Sequence, residues 1–241
     1  MLCPRLIPCL LIQKNGLVKT RKFSEPKYIG DPINAVRIFN EKGVDELMVL
    51  DIDATAWGQE PNYLLIDKLA NECRMPLCYG GGVQSVAQME RIISLGVEKV
   101  AISSAAIARL ALIEEAAVRV GSQSVVVVLD LRKGGLLRRL EIVTHNATRK
   151  TSIDPIDFVR QATESGAGEI VINSVDRDGT MQGFDLEMVE RLRSHTSLPM
   201  TILGGAGSLD HVLELWRAQG VVGAAAGSLF VFKGKYRAVL I

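Results

Sequence analysis

Short apolar runs and amphipathic stretches alternate along the whole chain, and the second half of that alternation repeats the first. The runs lie at 5–12, 46–52, 76–79, 98–102, 124–130, 168–174, 199–203 and 221–226. Between them, "DPINAVRIFNEKG" (31–43), "NYLLIDKLANEC" (62–73), "SVAQMERIISLG" (85–96), "ALIEEAAVRVG" (111–121), "DPIDFVRQATESG" (154–166), "DLEMVERLRSHT" (185–196) and "SLDHVLELWRAQG" (208–220) space apolar residues by three and four. That spacing predicts helices, several opened by Asp or Ser caps and closed by Gly. Eight strands alternating with helices require a parallel sheet. With no spare strand for an edge, closure into a (β/α)8 TIM barrel is the economical α/β solution.

The halves match in detail. "GVDELMVLDIDAT" (43–55) parallels "GAGEIVINSVDRDGT" (166–180), so that Asp51/Asp53 are paired with Asp176/Asp178. "YGGGVQS" parallels "LGGAGSL", "VAISSA" parallels "AAAGSL", and "DPINAVRIF" parallels "DPIDFVRQA". The reading is one barrel domain over 1–241, built from two duplicated half-barrels of about 1–120 and 121–241. A doubly wound open sheet is the alternative, but it does not predict four matched strand ends per half.

The 241-residue length is close to the ~250 typical of such barrels. A net charge of +1 supplies no field to draw nucleic acid or an acidic membrane. Cys3, Cys9, Cys73 and Cys78 form no CxxC pair and have no nearby His, so neither a metal site nor a cofactor is expected. The apolar N-terminal run is short and broken by Pro8. It reads as a strand, not a signal peptide, and no stretch is long enough to span a membrane; a cytoplasmic location is expected.

Glycines cluster after strands three and seven (Gly80–Gly82; Gly204, Gly205, Gly207). Small residues follow strands four and eight (Ser103, Ser104; Gly227, Ser228). Neighbouring strand ends of this kind offer backbone N–H groups with no Cβ to block an anion. Gly82/Ser103/Ser104 and Gly205/Gly227/Ser228 therefore read as two phosphate cradles on opposite sides of one mouth, for a substrate phosphorylated at both ends. Asp178 and Gly179, after strand six, are counted with the phosphate-binding residues. Glycine as ordinary tight-turn chemistry is the competing reading, which the duplication disfavours.

"GDP", "DELMVLDI", "YGGGV", "SQSVVVVLD", "GAGEIVINSVDRDGTMQGFD" and "GGAG" resemble HisF, the cyclase-subunit family of imidazole glycerol phosphate synthase, across essentially the whole chain. "SVDRDGTMQGFD" separates it from the sister isomerase, which shares the duplicated barrel. The resemblance implies a bisphosphorylated ribonucleotide substrate. It also implies a HisH-type glutaminase forming a heterodimer on the N-terminal barrel face, with ammonia passing through the barrel. It places an ammonia gate at Arg5, Glu46, Lys99 and Glu169, substrate-positioning acids at Asp51 and Asp176, and Lys19 in a mobile loop over the substrate.

The same resemblance implies two catalytic aspartates, ending strands one and five. Asp130, in "VVVVLDLRKGG", fits the second. Leu11, in "CLLIQKNG", stands at the first, and leucine transfers no proton at any pH. Losing a positioned acid or base costs ~10²–10⁴ in rate. Asp45 or Asp53, brought inward by a shifted register, could substitute, since the side-chain period of two in a strand makes Asp53 the same-face partner of Asp51. Three functions follow. The first is the family's cyclase, impaired. The second is an ammonia conduit serving a separate amidotransferase in surface-polysaccharide sugar biosynthesis. The third is a sister-type sugar-phosphate isomerase.

Overall fold

The computed structural model describes residues 3–135, 138–233 and 238–239. Eight parallel strands close into a barrel: β1 (Arg5–Gln13), β2 (Leu47–Asp51), β3 (Leu77–Gly80), β4 (Lys99–Ile102), β5 (Val125–Gly134), β6 (Glu169–Ser174), β7 (Met200–Leu203) and β8 (Gly223–Ala226). Each pairs with the next, and β8 returns to β1 with Arg5 opposite Gly223 and Pro8 opposite Ala226. Closure removes the sheet edges and excludes the open doubly wound alternative. Among the described residues, seven long helices fall where the periodicity places them.

The duplicated "DPI" motifs act identically. Asp31 accepts from Asn34 N–H and Asp154 from the N–H groups of Ile156 and Asp157, while Pro32 and Pro155 open the helices. A proline there loses no hydrogen bond, and its fixed φ suits the first turn.

The resemblance implies a mobile loop after strand one, and the structure instead has antiparallel hairpins after strands one and five. β1 turns through Lys14 and Asn15, both at positive φ, into a strand at Gly16–Arg21, which pairs with another at Ser24–Gly30. β5 runs four residues past Asp130 and pairs with Arg139–Thr144. Asn-Gly at 15–16, between apolar-polar alternations, was the signal for the first. Both hairpins stand on the C-terminal face.

Side chains at every second position fill the barrel. Ile7, Cys9, Met48, Cys78, Ala101, Val126, Val128, Val171, Leu203 and Ala225 form an inner cluster, with Leu11 and Leu50 against it. The outer faces of the strands pack under the helices in a separate, larger cluster. The interior is therefore apolar from just above the strand starts up to the mouth.

Candidate functional site

A cavity of about 540 Å³ opens at the C-terminal ends of the strands. Asp130 lies on its wall. One carboxylate oxygen accepts from Asn173 Nδ2 at 2.8 Å, across the register pair Asp130–Asn173. Burial pushes the Asp130 pKa up to about 6; Asn173 opposes the rise and the Asp178 charge adds to it. A carboxyl titrating near neutral pH can both give and take a proton.

The raised pKa has a stability consequence. The folded state holds a proton that the unfolded chain, near 3.9, has already released. Stability contributed by that proton is fully present below pH 4 and lost as pH rises through about 6. Asp130→Asn is therefore expected to match the natural chain at pH 4 and to exceed it by roughly 2 kcal/mol at pH 7, after allowance for cavity water. Urea unfolding across that range checks both the sign and the window.

Across the cavity, Leu11 pairs with Leu50 in the register that matches Asp130 with Asn173. Both members of the polar pair are thus apolar in the first half. Asp45 cannot substitute: it accepts from Leu6 N–H at the opposite end of the barrel. Nor does strand alternation carry Asp53 inward, because β2 ends at Asp51 and a turn follows. Asp53 is buried and accepts from Gln13 Nε2 at 3.0 Å.

The matched acids need realignment. Counting from Glu46 and Glu169, Asp51 falls opposite Ser174 and Asp53 opposite Asp176, since both strands end five residues on. Asp51 lines the cavity and accepts from the N–H groups of Asp53 and Ala54; burial nonetheless pushes its pKa up. Asp176 is not on the cavity wall. It accepts from Lys133 N–H at 2.8 Å and anchors the extended end of β5.

Gly82, Ser103, Ser104, Gly205, Gly227 and Ser228 all line the cavity. Gly82 (φ 74°) and Gly205 (φ 108°) hold left-handed conformations, and a Cβ at either would strike backbone. The Gly82 N–H donates to Thr55 Oγ1 at 3.1 Å and is thus already engaged within the protein. The buried Ser103 hydroxyl has no protein partner, and a short helix, Ser104–Ala108, begins beside it.

Lys19 is not in a loop. It is buried in the Gly16–Arg21 strand, where its ammonium donates to the Cys9 carbonyl at 2.8 Å and sits where a Cβ on Gly227 would be. Burial lowers its pKa, opposed by Cys9 and Asp178. Its Nζ thus reaches the Gly227 turn. Asp178 accepts from Thr20 Oγ1 at 2.7 Å and from Phe23 N–H at 3.1 Å, and Gly179 lies against the Thr20 backbone. Both line the cavity, but their contacts clamp the hairpin.

Sequence reading missed Asn173, the partner of Asp130, because only the strand register brings them together. It also missed His145 and Asn146, which reach the cavity from the second hairpin. Burial and Arg149 lower the His145 pKa, and its two ring nitrogens lie against Thr144 Oγ1 and Arg149. No group of His, Cys, Asp and Glu among the described residues could hold a metal.

At the other end, Arg5, Glu46, Lys99 and Glu169 converge from four strand starts into a closed ring. Arg5 bonds Glu46 at 2.5 Å and Glu169 at 2.6 Å; Lys99 bonds them at 2.8 and 2.9 Å. Burial acts on Glu169 against ionisation, yet Arg5 and Lys99 outweigh it and hold its carboxyl below the usual range. Burial likewise works against the charge on Lys99, but the two glutamates raise its pKa.

Fold and site together define a closed, internally repeated (β/α)8 barrel, with titratable groups and glycine turns at one mouth and a charged ring at the other. The chain belongs to the family described as histidine biosynthesis protein, whose model matches residues 5–237. It is 57% identical over 241 residues to a Leptospira borgpetersenii protein named "Putative imidazole glycerol phosphate synthase subunit HisF", covering 100% of this chain and 95% of the relative. A Vibrio vulnificus protein, "Putative imidazole glycerol phosphate synthase subunit hisF3", is 54% identical over 241 residues, covering 100% and 93%. "Imidazole glycerol phosphate synthase subunit HisF" of Clavibacter michiganensis is 38% identical over 229 residues, covering 95% and 87%. No helix among the described residues is long and apolar enough to cross a membrane.

Proposed function

We propose that the chain is a cytoplasmic HisF-type subunit that takes ammonia from a glutaminase docked on the Arg5/Glu46/Lys99/Glu169 face and carries it through the barrel to the mouth. There a bisphosphorylated ribonucleotide is held by the two cradles, and the lyase-type cyclase chemistry is impaired. The carrying observation is the opposition of Asp130 and Leu11 across one cavity. Asp51 and Asp178 are engaged with backbone and hairpin, so Asp130 is the carboxylate left to act on substrate. It serves as general acid or base without an opposite number, while Lys19 holds a phosphate at the Gly227 cradle. Turnover of the purified chain with saturating ammonium chloride tests this: weak product formation is expected, and full family-level rates would overturn it.

A second reading is favoured by the Leu11–Leu50 pair, which continues the apolar lining to the mouth. Conduction needs a narrow apolar path, a gate and a docked source, none of which requires an acid on β1. In that reading the chain delivers ammonia to a separate amidotransferase. Isomerase activity would require the same missing acid and has no such support.

The cradles carry their own expectation. Gly205→Ala places a Cβ against the Gly183 carbonyl at a φ that L-residues avoid. It is expected to weaken binding of a bisphosphorylated ribonucleotide at least ~10-fold by calorimetry, about the loss of one or two backbone hydrogen bonds to an anion. Unchanged affinity in a folded variant would remove Gly205 from the site.

A further inference from the structure

Thr201 joins the charged ring from β7, and it makes the ring asymmetric. Its hydroxyl donates to Glu169 Oε1 at 2.6 Å and accepts from Arg5 Nη2 at 3.3 Å, with the residue fully buried. Gly223, on β8 between Arg5 and Thr201 in the register, leaves the space the hydroxyl occupies; a Cβ there would overlap it. Both Glu169 oxygens are consequently engaged: Oε1 by Arg5 and Thr201, Oε2 by Lys99 and, at 3.3 Å, Arg5. Glu46 differs. Arg5 and Lys99 both bond its Oε2, and its Oε1 is buried with no protein partner. A buried carboxylate oxygen without a protein donor is costly, and a small N–H donor relieves that cost.

We propose that Thr201 locks Glu169 and Arg5 as the fixed side of the ring, and that Glu46 Oε1 is the atom that receives the N–H of entering ammonium or ammonia. This rests on the ammonia-handling reading above and assigns that reading its first binding atom. Four donors already hold Glu169, so it offers a newcomer little. Glu46 bonds only through one oxygen, to two cations, and turns toward a donor without giving up both. Passage therefore runs on the Glu46–Lys99 side. Thr201 is a positioning residue: it acts through Glu169.

The test is a carbon-13 NMR titration of the glutamate side-chain carboxyls in the full chain, with Glu46 and Glu169 assigned by Glu46→Gln and Glu169→Gln. Ammonium chloride is titrated against equimolar potassium chloride, at pH 7 and pH 9. In the natural chain the Glu46 carboxyl is expected to shift saturably with ammonium while Glu169 stays still. A response following total ammonium identifies the cation as the species bound, and one following free base identifies ammonia; either supports the proposal. In Thr201→Val the Glu169 carboxyl is expected to respond as well, and Thr201→Ser is expected to restore its silence. Equal shifts of both glutamates in the natural chain, no shift at Glu46, or a silent Glu169 in Thr201→Val would overturn the proposal. A Glu46 response in a chain that binds no glutaminase would instead overturn the conduit reading and leave this site standing.

Discussion

Leu11→Asp is expected to raise ammonium-driven cyclase turnover by roughly 10²-fold, the lower end of what a positioned acid or base contributes. The register puts residue 11 opposite Leu50, as Asp130 is opposite Asn173. A new aspartate would face Asp130 across the cavity, restoring the two-carboxylate mouth that the other half of the barrel implies. The gain is partial because Asn173 holds Asp130 in place, whereas Leu50 offers no donor. Leu11→Asp with Leu50→Asn is therefore expected to exceed Leu11→Asp alone. Steady-state assays with ammonium chloride bypass any glutaminase and read the mouth alone. No gain in either variant, with the natural chain also inactive, would favour delivery of ammonia to another enzyme.

Lys99→Glu is expected to abolish the coupling between glutamine use and product formation while leaving ammonium-driven turnover within a few-fold of the natural chain. It sets a third carboxylate beside Glu46 and Glu169, which Lys99 now bonds at 2.8 and 2.9 Å, and leaves Arg5 as the one cation of the ring. Breaking a buried pair costs about 3–5 kcal/mol, because the remaining charges are stranded in low dielectric. For a chain of this size, that corresponds to a melting temperature lower by ~10 °C or more. Lys99→Met removes the cation without adding an anion, and separates loss of the gate from repulsion. Glutamate released per product, with a cognate glutaminase present, is the deciding ratio. A ratio unchanged in folded Lys99→Glu would mean that the ring does not control passage.

These two expectations act at opposite ends of the barrel and share no side chain, so their effects should add. The Asp130→Asn stability profile is independent of both. It depends on burial of one carboxyl, whatever the mouth catalyses.

Periodicity and duplication alone determined the eight barrel strands, the seven long helices and the faces on which Asp130 and Arg5 lie, because side-chain spacing is dictated by local backbone geometry. Capping was legible for the same reason: Asp31 and Asp154 act on N–H groups two or three residues away. Resemblance by itself marks Leu11 as a departure from the family pattern. Tertiary structure decided what depends on register between distant segments. It moved the acid equivalence, pairing Asp53 with Asp176, because strand ends are set by pairing and not by composition. It turned a presumed mobile loop into a hairpin clamped by Asp178, with Lys19 buried at Gly227. It supplied Asn173 to Asp130 across 43 residues of chain and Thr201 to Glu169 across 32. None of those partners is implied by its own neighbours in sequence. Each exists because closing the barrel brings two strands within about 5 Å, where a single hydrogen-bond donor decides which carboxylate is held and which is left free.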